Sequence, residues 1–142
     1  MPSLSLDIPV AARWLGFGGL IPFVATAMAA VIADGPLRDL AARALPAYGA
    51  VILSFLGGVR WGLAMPRSDR LFAALAASVL PALLGWVSLL LPASIGLVLL
   101  AVGFAAMLAA DLRLSSAPSW YRRLRLPLSL GAMSALLLGL LG

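Results

Sequence analysis

The sequence predicts an all-α fold: a polytopic bundle of five transmembrane helices forming a single integral membrane domain over residues 1–142, with its N-terminus cytoplasmic. Composition, the spacing of apolar runs and the placement of arginine predict it together. Of 142 residues 63% are hydrophobic and only 11% charged, with mean hydropathy +1.11. A soluble domain is about half apolar and a quarter charged. A globule this small buries too little of its surface to hide the excess, which leaves lipid as the solvent.

Each crossing of a hydrocarbon core of about 30 Å takes roughly 20 apolar residues. The first span is expected over residues 14–33, ending in the turn-like Asp34-Gly35-Pro36. A polar link with Arg38, Asp39 and Arg43 follows, and the second span covers residues 44–65, interrupted by Arg60 and stopped by Pro66. Arg67-Ser68-Asp69-Arg70 reads as a tight loop in which Ser68 or Asp69 could cap the next helix. The third span takes residues 71–91, with Pro81 near its middle, and Pro92-Ala93-Ser94 turns the chain into a fourth span over 93–110. The link from Asp111 to Arg125 is the longest polar stretch, and a last span occupies residues 124–141. Trp120, Tyr121, Arg122, Arg123 and Arg125 are expected as anchors at the membrane interface, with Pro118 suited to a first helical turn.

Counting arginine in the links sets the orientation. One side holds Arg13, Arg67, Arg70, Arg113, Arg122, Arg123 and Arg125, and the other only Arg38 and Arg43. Positive residues collect on the cytoplasmic side, so the N-terminus is placed inside and the C-terminus outside. Ala25-Thr26-Ala27 imitates a signal-peptide cleavage site, but apolarity runs on to Ala33 and favours an uncleaved span. No internal repeat is visible, and an odd number of spans disfavours two equal inverted halves.

All ten basic residues are Arg and all five acids Asp, with no Lys, Glu, His or Cys. Such usage, beside abundant Ala, Leu and Gly, suits a GC-rich genome and favours a bacterial inner membrane, or the mitochondrial inner membrane in a eukaryote. The net charge of +5 is explained by arginines flanking spans, so nucleic-acid binding is not expected. Acid–base chemistry would fall to Asp or to Tyr48 and Tyr121. No aspartates lie close enough in sequence to suggest converging oxygen ligands for a metal, and the serines lack a base partner. Neither an enzyme nor a cofactor is expected.

The segment Ser54-Phe55-Leu56-Gly57-Gly58-Val59-Arg60-Trp61-Gly62 is the most informative. Ser54, Gly58 and Gly62 recur every four residues, with Gly57 beside them. In lipid, such small residues let helix backbones approach closely. Packing against a helix of the same chain is the simpler expectation, and a dimer or partner interface the alternative. Arg60, charged within a span, is a candidate functional residue, although its side chain can snorkel toward the surface. Asp111, at the same end under the predicted topology, is its expected ion-pair partner. Pro22 and Pro81 fall inside spans, where proline kinks are tolerated but can also open binding sites.

Gly19-Leu20-Ile21-Pro22-Phe23, the run from Tyr48 through Arg60 to Gly62, Ser78-Val79-Leu80-Pro81, Asp111 and Pro118-Ser119-Trp120-Tyr121-Arg122-Arg123-Leu124-Arg125 together carry a family resemblance. In them the chain resembles the transmembrane protein 69 family, a bacterial and mitochondrial family built on a domain of unknown function numbered 3429. Ser129 stands where threonine is expected in many relatives. The resemblance implies a small inner-membrane protein and supplies no activity, substrate or site.

The function expected from these residues is a non-enzymatic assembly, scaffold or accessory subunit of a membrane complex. Its expected partners are membrane lipids and, beyond them, other inner-membrane proteins or a second copy. The alternative is a small transporter, or a binder of lipid or an apolar cofactor, using Arg60 and the proline-kinked helices.

Overall fold

The computed structural model describes residues 7–66, 69–114 and 117–142. In order along the chain these form α1 (Val10–Gly18), α2 (Leu20–Ile32), α3 (Gly35–Ala64), α4 (Leu71–Leu90), α5 (Ala93–Leu112) and α6 (Ser119–Leu138), followed by a 3₁₀ turn over Gly139–Leu141. Among the described residues there is no strand. Taking α1 with α2 and α6 with its 3₁₀ turn, five helical units among the described residues are long and apolar enough to cross a membrane.

The first unit is interrupted at Gly19. Pro22 has no N–H to give to the carbonyl four residues earlier, so the helical ladder weakens just before it. The Gly19 amide is shared between the Leu15 and Gly16 carbonyls at 3.0 and 3.1 Å. The Gly19 carbonyl accepts a bond from the Tyr48 hydroxyl of α3 at 2.9 Å.

Helix α3 corrects the expected boundary of the second span. It has 30 residues rather than the 22 of residues 44–65, about 45 Å at 1.5 Å per residue, and so outreaches the hydrocarbon core. Gly35 takes the left-handed conformation at φ 58° and Pro36 occupies the first turn, which starts the helix immediately after Asp34. Arg38, Asp39 and Arg43 therefore lie on exposed helix rather than in a link, and the Arg43 Nε donates to the Asp39 carbonyl at 3.3 Å. Charges near a helix end bring solvated side chains with them and do not require the backbone to stop. The last helix begins at Ser119 behind Pro118, ahead of the apolar span over 124–141, in keeping with Pro118 as a residue suited to a first helical turn. Ser68, a candidate cap for α4, lies outside the described residues; the residue before α4 is Arg70, at a left-handed φ of 51°.

The helices form a ring in which α2 touches both α3 and α6, while α3 and α5 also meet across the middle. Helices α3 and α4 pack most extensively. Their antiparallel register is fixed by two close approaches: a Cβ on Gly57 would stand 2.5 Å from the Ser78 carbonyl, and one on Gly85 would stand 3.1 Å from that of Ala50. The two approaches are seven residues apart on each helix, two turns along the same stripe. Phe23, Leu45, Leu53, Leu100, Phe104 and Leu136 are fully buried at the centre. Phe23 meets Tyr48 and Phe104 edge-on, at centroid distances of 4.9 and 5.8 Å. Large apolar side chains such as Leu15, Trp14 and Phe72 point outward, as an outer face in contact with acyl chains requires.

Candidate functional site: a two-arginine aspartate cluster

Asp111 lies in the last turn of α5 and is completely buried. A carboxylate taken out of water needs charged or hydrogen-bonding partners, and two helices supply them. Arg60 of α3 donates from Nη1 to Oδ1 at 3.0 Å, and Arg125 of α6 donates from Nε to Oδ2 at 2.8 Å. The Tyr121 hydroxyl stands 3.5 Å from Oδ2, one helical turn before Arg125 on the same face of α6. One carboxylate thus ties α3, α5 and α6 together at a single end of the bundle.

Two guanidiniums face one carboxylate, so the cluster holds an unbalanced positive charge. The side chain of Arg60 keeps 22% of its surface exposed and that of Arg125 only 6%. Among the described residues the Arg125 Nη2 has no hydrogen-bond partner, nor does the buried Ser129 Oγ one turn further along α6. The cluster contains fixed donors and an acceptor already engaged by two cations. Such an arrangement can fasten helices and hold an anion.

Arg60 and Asp111 are thus brought together, in the pairing expected from the sequence. Arg125 is corrected: expected as an interface anchor, it turns inward onto Asp111. In sequence it sits in a run with Arg122 and Arg123, both exposed, which hides its different role. The signal was available in the helical spacing: Ser129, Ala132 and Leu136 form a buried stripe on α6, and Arg125 continues it by one turn. Trp120 and Tyr121 are partly buried and meet edge-on at 6.2 Å.

The small-residue face divides. Gly57 packs on α4, as described above, and Ser54 is half-buried with its hydroxyl on the Ala50 carbonyl at 2.9 Å. Gly58 and Gly62 are corrected with respect to packing inside the chain: both are exposed, and a Cβ on either would meet nothing within 4 Å. The reason is angular. Adjacent residues are separated by about 100° around a helix, so a helix that buries Gly57 turns Gly58 away.

The family model described as a protein of unknown function (DUF3429) matches residues 8–141. Transmembrane protein 69 of Xenopus tropicalis is 41% identical over 136 residues, covering 92% of this chain and 53% of that protein. Its Mus musculus counterpart is 35% identical over 127 residues, covering 85% of this chain and 51% of that protein. The chain therefore spans about half the length of the curated relatives it matches. No solved structure matches it. With a family model covering nearly its whole length and five helical units among the described residues fit to span a bilayer, the chain belongs to the DUF3429 family of multi-pass membrane proteins.

Proposed function

We propose that this protein is a non-enzymatic accessory or scaffold subunit of an inner-membrane complex, and that a partner's transmembrane helix packs on the outer face of α3. The observation that carries this reading is the Ser54–Gly58–Gly62 stripe, whose two glycines point out of the bundle beside exposed Val51, Phe55 and Trp61. A glycine facing acyl chains offers them little to pack on, whereas a second helix can bring its backbone close to the groove. Further support comes from the polar inventory: the buried carboxylate is engaged in ion pairs, and the sequence has neither His nor Cys for proton transfer or nucleophilic attack.

The sequence contains no cysteine, so a thiol cross-link on this chain starts from the introduced position. Single cysteines at Gly58 and Gly62, and a control at lipid-facing Leu83, are cross-linked in native membranes. Adducts to one defined protein from 58 and 62, with none from 83, support the reading. A product at twice the monomer mass would replace the heterologous partner with a second copy. Equal labelling by lipid-soluble reagents at all three positions, without adducts, would overturn it.

A second reading, a binder of lipid or an apolar cofactor, is favoured by a groove of about 290 Å³ that has Arg60 on its wall.

A further inference from the structure

The groove beside Arg60 has a direction. On α3 its wall runs from Arg60 to Leu53, on α4 from Ala77 to Leu84, and on α5 from Ala110 to Gly103. Each stretch is seven residues along its helix, about 10 Å. Since α4 is antiparallel to α3 and to α5, Ala77, Arg60 and Ala110 share one end and the apolar remainder extends from them toward the middle of the bundle. Ala77 and Ala106 are exposed, so the groove opens sideways toward the surrounding lipid. Its shape is that of a short apolar trough with Arg60 at the end nearer the C-terminus of α3.

Charge at that end is unbalanced. Asp111 is shared between two arginines, and the buried Nη2 of Arg125 is unpartnered among the described residues. Arg60 is the member of the cluster that both reaches the surface and lines the groove. An anion placed there would offset the excess charge, and a guanidinium suits a phosphate because its donors match two oxygens at once. Basic pockets between transmembrane helices hold anionic head groups by this means.

We propose that the trough between α3, α4 and α5 binds an anionic phospholipid of the surrounding bilayer, with its phosphate at Arg60 and one acyl chain lying along Ala106 and Gly103 toward Leu53. This assignment deepens the binder reading and rests on it. The site is separate from the outward glycine face of α3, so a lipid here and a helix there are compatible.

The test uses the full chain, purified in a neutral detergent and titrated with phosphatidylglycerol, phosphatidylcholine or inorganic phosphate, reading melting temperature and lipids retained in native mass spectrometry. Two variants accompany it. Ala106→Leu fills the trough from its exposed edge without entering the packed core. Arg60→Gln removes the head-group contact while leaving the Asp111–Arg125 pair neutral. The parent is expected to retain one phosphatidylglycerol with a preference over phosphatidylcholine of about fivefold, the factor expected for one basic contact near a membrane surface. Ala106→Leu should lose the retained lipid, and Arg60→Gln should keep a lipid but lose the preference. Equal retention of both lipids, abolished by Ala106→Leu, would overturn the anionic head group and leave an apolar binder. Retention indifferent to Ala106→Leu would overturn the trough and the binder reading together. Equal protection by inorganic phosphate alone would reduce the site to an anion contact and overturn the lipid.

Discussion

Arg125 binds Asp111 through Nε at 2.8 Å from the neighbouring helix α6, and it is the more deeply buried of the two arginines on that carboxylate. Removing Arg60 leaves a neutral, buried pair. Removing Arg125 leaves Asp111 with the more exposed partner, and removing Asp111 leaves two guanidiniums facing each other. Loss of one member of a buried pair costs about 3–5 kcal/mol because the orphaned charge keeps its desolvation penalty. The expected order of destabilisation is therefore Asp111→Ala, then Arg125→Ala, then Arg60→Ala. Melting of the purified variants in one detergent checks it, and a larger loss for Arg60→Ala than for Arg125→Ala would contradict the geometry. The Arg60→Ala/Asp111→Ala double variant should lose less than the two single losses combined, as coupled neighbours do.

Neighbouring glycines on α3 should respond oppositely to a leucine. At Gly57 the new side chain would run into the Ser78 carbonyl and Pro81 of α4. Backbone cannot yield as a flexible side chain does, so a cost of about 3 kcal/mol or more is expected, at or above the upper end of the usual range of roughly 1–3 kcal/mol for overpacking. At Gly58 nothing stands in the way, and Gly58→Leu should melt within about 0.5 kcal/mol of the parent, as surface substitutions do. Its effect should fall instead on cross-linking from position 62. Equal stability losses at the two sites would mean that the outer face is closed within the chain.

These pairs also show what sequence reasoning can reach. Each apolar run coincides with a helical unit among the described residues, because a span must satisfy its backbone in lipid by being helical. Arg60 and Asp111 could be matched because a charge in a span needs a partner at equal depth. What run length cannot supply is rotation about the helix axis. Residues 57 and 58 are equally small, and 123 and 125 are both arginines; only the packing of α4 against α3 and of α5 against α6 separates them. Residues 35–43 are helical although hydropathy places them in a link, because hydropathy reports where lipid ends and α3 continues past that level.

The placement of arginine predicts an orientation. Seven arginines flank the spans on the side of residues 13, 67–70 and 111–125, and two on the other. The N-terminus and the 67–70 link are therefore expected in the cytoplasm, with Gly142 on the opposite side. A reporter active only outside the cytoplasm should work when fused at residue 142 and stay silent at residue 69. The reverse pattern would invert the whole topology, and with it the leaflet from which the trough at Arg60 is filled.

The hydroxyl of Tyr48 offers the smallest perturbation with a local readout. It donates to the Gly19 carbonyl at the break between α1 and α2, while its ring packs edge-on against Phe23. Tyr48→Phe keeps the ring contact and deletes only the donor. Such a bond contributes about 1 kcal/mol net, so the melting temperature should fall by a few degrees without loss of fold. The larger change should be local: α1 has no buried residue of its own, which leaves it little else to hold its angle to α2. Amide exchange over residues 10–19 should accelerate in Tyr48→Phe while exchange across the centre of α5 stays slow. Unchanged protection in α1 would show that Leu124 and Leu128 of α6, the groups that a Cβ on Gly16 would meet, fix that helix without the hydroxyl.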